Sequence, residues 1–250
     1  MKLKASEVQS FQREGYLKLP HRVIEEEHLQ RLRRSYDQVF NGAGVRNLSE
    51  TETTTEDVVE IDDGNMWKVG EMWKRSKDFW HLVYHKPLLD IVESLIDGSV
   101  QLFGDEALYK PANNGGQIPW HQDNGYWRCQ PADLVSIWIA LDDVDEENGC
   151  MYVIPGSHEK GEVEHSRLKT DIGNISKVLL STQINESNAV PIPLSAGHAM
   201  VHHCLTLHAT RPNFSSRDRR AMVINYMPVG THNGEGELLK EGYPILTSIS

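Results

Sequence analysis

The chain has 250 residues and a formal net charge of −11. That length suits one domain of the sandwich or barrel type, and the acidity argues against nucleic acid or an anionic membrane surface as partner, since both need a basic patch. Its three cysteines, Cys129, Cys150 and Cys204, lack CxxC or zinc-like spacing, which excludes a disulfide framework and points to free thiols in a reducing compartment.

Met1 to Ala5 lacks the apolar core of a signal peptide, and no apolar run approaches a membrane span. A cytoplasmic protein is therefore expected. Ser6-x-x-Gln9 has the form of a capping box, opening a short helix that stops near Gly15. Tyr16 to Leu19 predicts a strand. Leu29, Leu32, Tyr36, Val39 and Phe40 recur at helical spacing and predict a second helix ending near Gly42. The segment 41–65 is polar and aperiodic, either a lid or a disordered surface loop. A further helix is predicted from about Ser76 to Ile96, divided by Pro87.

From Val100 the pattern turns to strands: Val100–Tyr109, Val135–Leu141, Cys150–Ile154, Val190–Leu194, Ala199–Leu205 and Ala221–Met227. Gly115-Gly116, Asn148-Gly149 and Pro155-Gly156 separate them as turns. The expected fold is mainly β with N-terminal helices, a double-stranded β-helix (jelly roll, cupin-like) core backed by helices. One domain is expected over 1–250: a mostly helical part with its polar loop (1–98), the jelly-roll core (99–228) and a tail (229–250). The acidic run 142–147 is expected to be a solvated turn. Two insertions are expected to select substrate. One holds Asn124, Tyr126 and Trp127 after the first histidine motif, where the aromatics either clamp a substrate or simply wall the pocket. The other is the long polar stretch from Ser157 to Ala189.

The most informative residues are His121-Gln122-Asp123 and, far downstream, His208. A His-x-Asp pair with a distant histidine is the ligand set of the facial triad that holds non-haem Fe(II) on one face and leaves the other open. Side chains two apart on a strand point to the same side, so His121 and Asp123 are expected to reach one metal from a shared strand face while Gln122 points away. His198, His202 and His203 compete with His208. Strand alternation allows at most one of His202 and His203 to point inward. Arg219, in the charged turn 215–220, offers a planar fork that matches a carboxylate, though Arg217 and Arg220 crowd the same turn.

Trp120 before H-Q-D, the block Asn148-Gly149-Cys150, the block Pro155-Gly156-Ser157-His158, and His208-x-Thr210-x-x-Asn213 followed by Arg219 together resemble the phytanoyl-CoA dioxygenase-like (PhyH) family of Fe(II)/2-oxoglutarate oxygenases. The likeness runs from about Leu102 to Pro228. It implies that His121, Asp123 and His208 ligate iron and that Arg219 grips the distal carboxylate of 2-oxoglutarate. It further implies that Thr210 assists Arg219, that Trp138 lines the co-substrate pocket and that Lys68 contacts 2-oxoglutarate. The chain departs from the family in carrying Gly197-His198 where Gly-Asp is common, and Thr210 where serine is commoner. Asp123 stands where halogenating relatives have a small residue, which argues against a halogenase.

The resemblance thus implies a dioxygenase using Fe(II), 2-oxoglutarate and O2 to hydroxylate a C–H of a small-molecule substrate, with release of succinate and CO2. Two alternatives stay open. One is a non-redox cupin-like metalloenzyme, an isomerase or hydrolase, which would need no arginine clamp. The other is a non-catalytic binding protein on the same fold, which would need no triad.

Overall fold

The computed structural model describes residues 2–42, 58–60, 67–113, 115–169, 175–181 and 184–247. Most of the polar segment 41–65 lies outside them. In chain order the elements are α1 (Ala5–Glu14), β1 (Tyr16–Lys18), α2 (Glu26–Gly42), β2 (Val58–Glu60), β3 (Trp67–Gly70), α3 (Met72–Arg75), α4 (Lys77–Val83) and α5 (Lys86–Val92). There follow β4 (Val100–Lys110), β5 (Ile118–His121), α6 (Asn124–Trp127), β6 (Val135–Ala140), β7 (Met151–Val153), β8 (His165–Lys169) and β9 (Ile175–Ser181). The chain closes with β10 (Val190–Ile192), β11 (Ala199–His203), β12 (His208–Thr210), β13 (Arg219–Pro228) and β14 (Ile245–Thr247).

The helices form where expected, with local corrections. Lys4, not Ser6, caps α1, because the Glu7 carboxylate accepts the Lys4 N–H at 2.7 Å and Ser6 falls inside the first turn. Gly15 ends the helix at φ 75°, a conformation glycine adopts without strain. The expected helix over 76–96 is two helices. The Ser76 hydroxyl caps α4, and Pro87 sits in the first turn of α5, where its missing N–H costs nothing.

Among the described residues, one sheet runs in the order β1-β11-β6-β13-β4-β3-β2, with β14 also paired to β4. A second, smaller sheet runs β10-β7-β12-β5. The neighbouring pairs are antiparallel. The large sheet is covered on both faces, so β6, Val-Ser-Ile-Trp-Ile-Ala, is buried throughout. Its Ile137 and Ile139, with Met222 and Ile224 of β13, pack under Leu29, Leu32, Phe79 and Leu88 of the helices. Trp138, Ala140, Ala221 and Val223 face the other way, into a second core closed by Met151, Val153 and Leu207 beneath the small sheet. This is the expected jelly roll backed by helices, and the period-two alternation of β6 and β13 assigns each side chain to one core or the other.

The polar stretch 157–189 contains structure the sequence did not signal, since β8 and β9 pair with each other there. The acidic run 142–147 is a hydrogen-bonded turn. Asp145 accepts from the N–H groups of Glu147 and Asn148, and Asp142 pairs with Arg220. All three cysteines are free and buried.

Candidate active site

The small sheet delivers both histidines. His121 closes β5, and its direct partner across the pairing is His208 of β12. Asp123 is not on the strand. The chain turns at Gln122, and Asp123 (φ −57°, ψ −40°) immediately precedes α6. Shared strand face is therefore not what brings Asp123 to His121; the helical turn does. Gln122 does point away. Its amide nitrogen donates to the carbonyls of Gly161 and Leu205, and its oxygen accepts the Val163 N–H.

One ligand atom each from His121, Asp123 and His208 lies within 4.8 Å of the others. The ring orientations are fixed from behind. His121 Nδ1 lies 2.8 Å from the Pro119 carbonyl and His208 Nδ1 lies 2.9 Å from the Thr206 carbonyl. A carbonyl can only accept, so Nδ1 carries the proton in both rings and Nε2 presents its lone pair forward. Both Nε2 atoms face Asp123 Oδ1, at 3.8 and 3.6 Å. The other carboxylate oxygen, Oδ2, takes hydrogen bonds from Ser136 and His202, each at 3.1 Å. Burial, with the neighbouring His121, pushes the His208 pKa down to about 3, and burial also lowers His121. Burial opposes ionisation of Asp123, but His208 and His202 outweigh it and hold the carboxyl below its usual range. Two neutral imidazoles and one carboxylate, lone pairs converging, fit a divalent transition metal.

The same three residues wall a cavity of about 260 Å³. At its other end lies Arg219, 0 % exposed. None of its guanidinium nitrogens has a partner among the described residues. Trp138 lies alongside, its ring centroid 5.5 Å from the guanidinium carbon. Burial lowers the Arg219 pKa to about 10, which leaves it charged at neutral pH. Thr210 completes this end. Its oxygen accepts from the Lys110 ammonium (2.8 Å) and the Ile118 N–H (3.3 Å), so its own O–H remains to be donated. This end of the cavity thus offers only donors, and the group that satisfies a fork and a hydroxyl together is a carboxylate.

Residues behind the cavity hold this end in place. Asn213 donates to the carbonyls of Lys110, Pro111 and Arg217, closing the turn that leads into β13. Gly149 is tight against the Arg211 carbonyl and the Lys110 side chain, at φ 82°. Arg220 points to the opposite face, bonded to Asp142 and Asp37, so the inward arginine is Arg219. His203 faces Asp133 and His158, away from the cavity.

Tyr126, Trp127 and Lys68 line the cavity, and the Lys68 ammonium is paired with Glu106 at 2.5 Å. Asn124 does not line it. It is buried, donating to Glu162 and accepting the Cys129 N–H, which ties the insertion down. Ser136 and Lys110 are functional neighbours that the sequence did not single out, and His202, a rival to His208 in the sequence, instead supports Asp123. Alternation carried a signal for Ser136, which shares a face with Trp138, and allowed one of His202 and His203 to turn inward without saying which.

A jelly roll with a His-Asp-His cluster at one wall and a buried arginine at the other has the architecture of non-haem Fe(II)/2-oxoglutarate oxygenases. The profile of the phytanoyl-CoA dioxygenase (PhyH) family matches residues 11–221, and the chain belongs to that family. It is 27% identical over 147 residues to a probable alpha-ketoglutarate-dependent hypophosphite dioxygenase of Stutzerimonas stutzeri, covering 58% of this chain and 51% of that protein. It is 32% identical over 164 residues to phytanoyl-CoA dioxygenase domain-containing protein 1 of Mus musculus, covering 64% and 56%. The chain thus spans about half the length of such curated relatives. Among solved structures, the alpha-ketoglutarate-dependent carbocyclase SnoK superposes with a TM-score of 0.78 at 22% identity, covering 98% of this chain and 97% of that one. EvdO2 of Micromonospora carbonacea var. aurantiaca, crystallised with 2-oxoglutarate, gives 0.68 at 26% identity, covering 93% and 94%.

Proposed function

We propose that the chain is a non-haem Fe(II)/2-oxoglutarate-dependent dioxygenase that hydroxylates a C–H bond of a small molecule and releases succinate and CO2. His121 Nε2, His208 Nε2 and Asp123 Oδ1 would hold the iron. Arg219 and Thr210 would take the distal carboxylate of 2-oxoglutarate, with Trp138 shielding them from water. Bound iron and 2-oxoglutarate would supply O2 activation, O2 being the oxidant and oxidative decarboxylation of the co-substrate furnishing two of the four electrons it takes up, the substrate C–H the other two. The protein's share is to keep both imidazoles neutral, fix the carboxylate from behind and keep the guanidinium dry. The tail and N-terminal helices belong to the same catalytic unit, 1–250, in this reading. The buried free thiols support a reducing compartment such as the cytoplasm. Among the described residues, no helix is long and apolar enough to cross a membrane.

One observation carries the proposal: a fully buried arginine with no partner among the described residues, in the cavity that the triad walls. A buried unpaired cation is costly unless a ligand completes it. A non-redox metalloenzyme would need no clamp for 2-oxoglutarate, and a binding protein would need no triad. The test is an anaerobic titration with Fe(II) and 2-oxoglutarate followed in the visible. A weak charge-transfer band that Arg219→Ala diminishes supports the reading. Iron binding without the band rules out the co-substrate assignment.

A further inference from the structure

The large sheet meets the cavity as a ladder of cross-strand rungs. One rung is Gly104–Asn225–Ser136–His202, spanning β4, β13, β6 and β11. The adjoining rung is Gly70–Glu106–Val223–Trp138, spanning β3, β4, β13 and β6. Glu106, Asn225 and Val223 line the cavity. Residues opposite each other in an antiparallel pair point to the same face, so Gly104 and Gly70 open on the cavity side too.

Gly104 lies at the register shift of the β4–β13 pairing and Gly70 ends β3, ahead of Glu71 at φ 55°. Neither glycine has a positive φ, however, and a Cβ built on either would meet no described atom within 4 Å. Glycine in a strand marks a bulge or a place where something else approaches the backbone, and the open space above both leaves room for the second. Beside this floor, Trp127, which lines the cavity, packs on Phe103 with ring centroids 4.7 Å apart and planes tilted by 45°. Glu106 has one oxygen on Lys68. Asn225 Oδ1 is buried without a partner among the described residues.

Accepting the oxygenase reading above, we infer that the floor over Gly70 and Gly104 is the berth of a neutral, ring-bearing substrate whose hydroxyl groups donate to Glu106 and Asn225. Charge selects against anions. The two cations among the described lining residues are Lys68, neutralised by Glu106, and Arg219, at the co-substrate end. A phosphate, a carboxylate or a coenzyme A ester would find no unpaired cation on the floor and would face the Glu106 carboxylate. A flat ring fits against bare backbone and an indole wall, and hydroxyls suit the two acceptors.

The test uses 2,6-dihydroxynaphthalene as probe, with 2-naphthyl phosphate and 2-naphthoate as its anionic counterparts. Ligand-observed NMR measures their binding to the protein loaded with Zn(II) and 2-oxoglutarate, which cannot turn over. The diol is expected to bind and the anions are not. Gly104→Leu, which fills the floor, is expected to abolish diol binding. Glu106→Gln, which changes charge without size, is expected to weaken it by roughly tenfold. Absence of diol binding to the wild type, equal binding of the anions, or full binding by both variants overturns the proposal. The Fe(II)/2-oxoglutarate band, recorded on the same proteins, keeps the two readings apart. Its survival in Gly104→Leu isolates the loss to the berth, whereas its absence from the wild type defeats the oxygenase assignment instead.

Discussion

Ser136 and His202 are direct partners across the β6–β11 pairing, and both place a hydrogen bond on the same oxygen of Asp123. That doubly held oxygen faces away from the two histidine ligand atoms, and the other one faces them. The carboxylate is thereby oriented to give one oxygen to a metal.

Loss of either support should loosen the carboxylate without removing a ligand. Ser136→Ala and His202→Leu should each weaken Fe(II) binding by roughly tenfold to a hundredfold. An anaerobic Fe(II) titration of each variant reads this directly. Unchanged affinity in both would mean that the carboxylate is positioned by α6 alone.

Arg219 should trade stability for function. Without 2-oxoglutarate its charge is buried and has no partner among the described residues, a condition that an apolar side chain of similar volume relieves. Arg219→Met should raise the melting temperature of the ligand-free protein by about 2–4 °C, as about 1 kcal/mol would in a chain this size. It should also lose the stabilisation that 2-oxoglutarate and metal together confer on the wild type. Thermal scans with and without ligand compare the two.

Asn213 links three carbonyls on both sides of the entry to β13. Truncation to alanine leaves them unsatisfied and should cost about 2–4 kcal/mol. Because that turn sets Arg219, the KM for 2-oxoglutarate should rise while the charge-transfer band, once saturated, keeps its position. Urea unfolding and steady-state kinetics separate the two effects.

Asp105, on the helix-facing side of β4, has its pKa pushed up to about 7, chiefly by burial, against the hydrogen bond from the Trp73 N–H. The folded state therefore holds this proton more tightly than the unfolded chain does. The Asp105 contribution is fully present below about pH 4 and is lost as pH rises to about 7, at up to about 1.4 kcal/mol per pH unit. Asp105→Asn keeps an acceptor for Trp73 and removes the titration. Its stability relative to wild type should improve between pH 5 and pH 8, as read by urea midpoints at both. A parallel pair of curves would show that Asp105 titrates normally.

Near-continuous apolar runs between turn residues made β6 and β13 legible, and the period of two in a strand then gave the inward set Arg219, Ala221, Val223 and Asn225. His208 was legible only through the pattern around it, because β12 is three residues long and three residues carry no period. The placement of Asp123 was not legible. Whether a residue two beyond a strand histidine continues the strand or begins a helical turn depends on long-range ties such as Gln122 to Leu205. Lys110 was hidden for a similar reason. A lysine at a strand end looks solvent-facing until Thr210 and the Arg211 carbonyl are brought against it. The β8–β9 hairpin lies in a polar stretch with no clean alternation, so only pairing in space defines it.

The side chain of Gln122, the residue between two ligands, anchors the start of the 157–189 insertion through main-chain groups at Gly161 and Val163, while its N–H donates to the His165 ring. Every amino acid supplies a carbonyl, and every one but proline an N–H. Apart from His165 and Glu162, whose side chains also meet this region, the insertion can therefore diverge while these two anchors survive. A scaffold joined to its variable loop in this way can change what it recognises and leave its metal centre undisturbed.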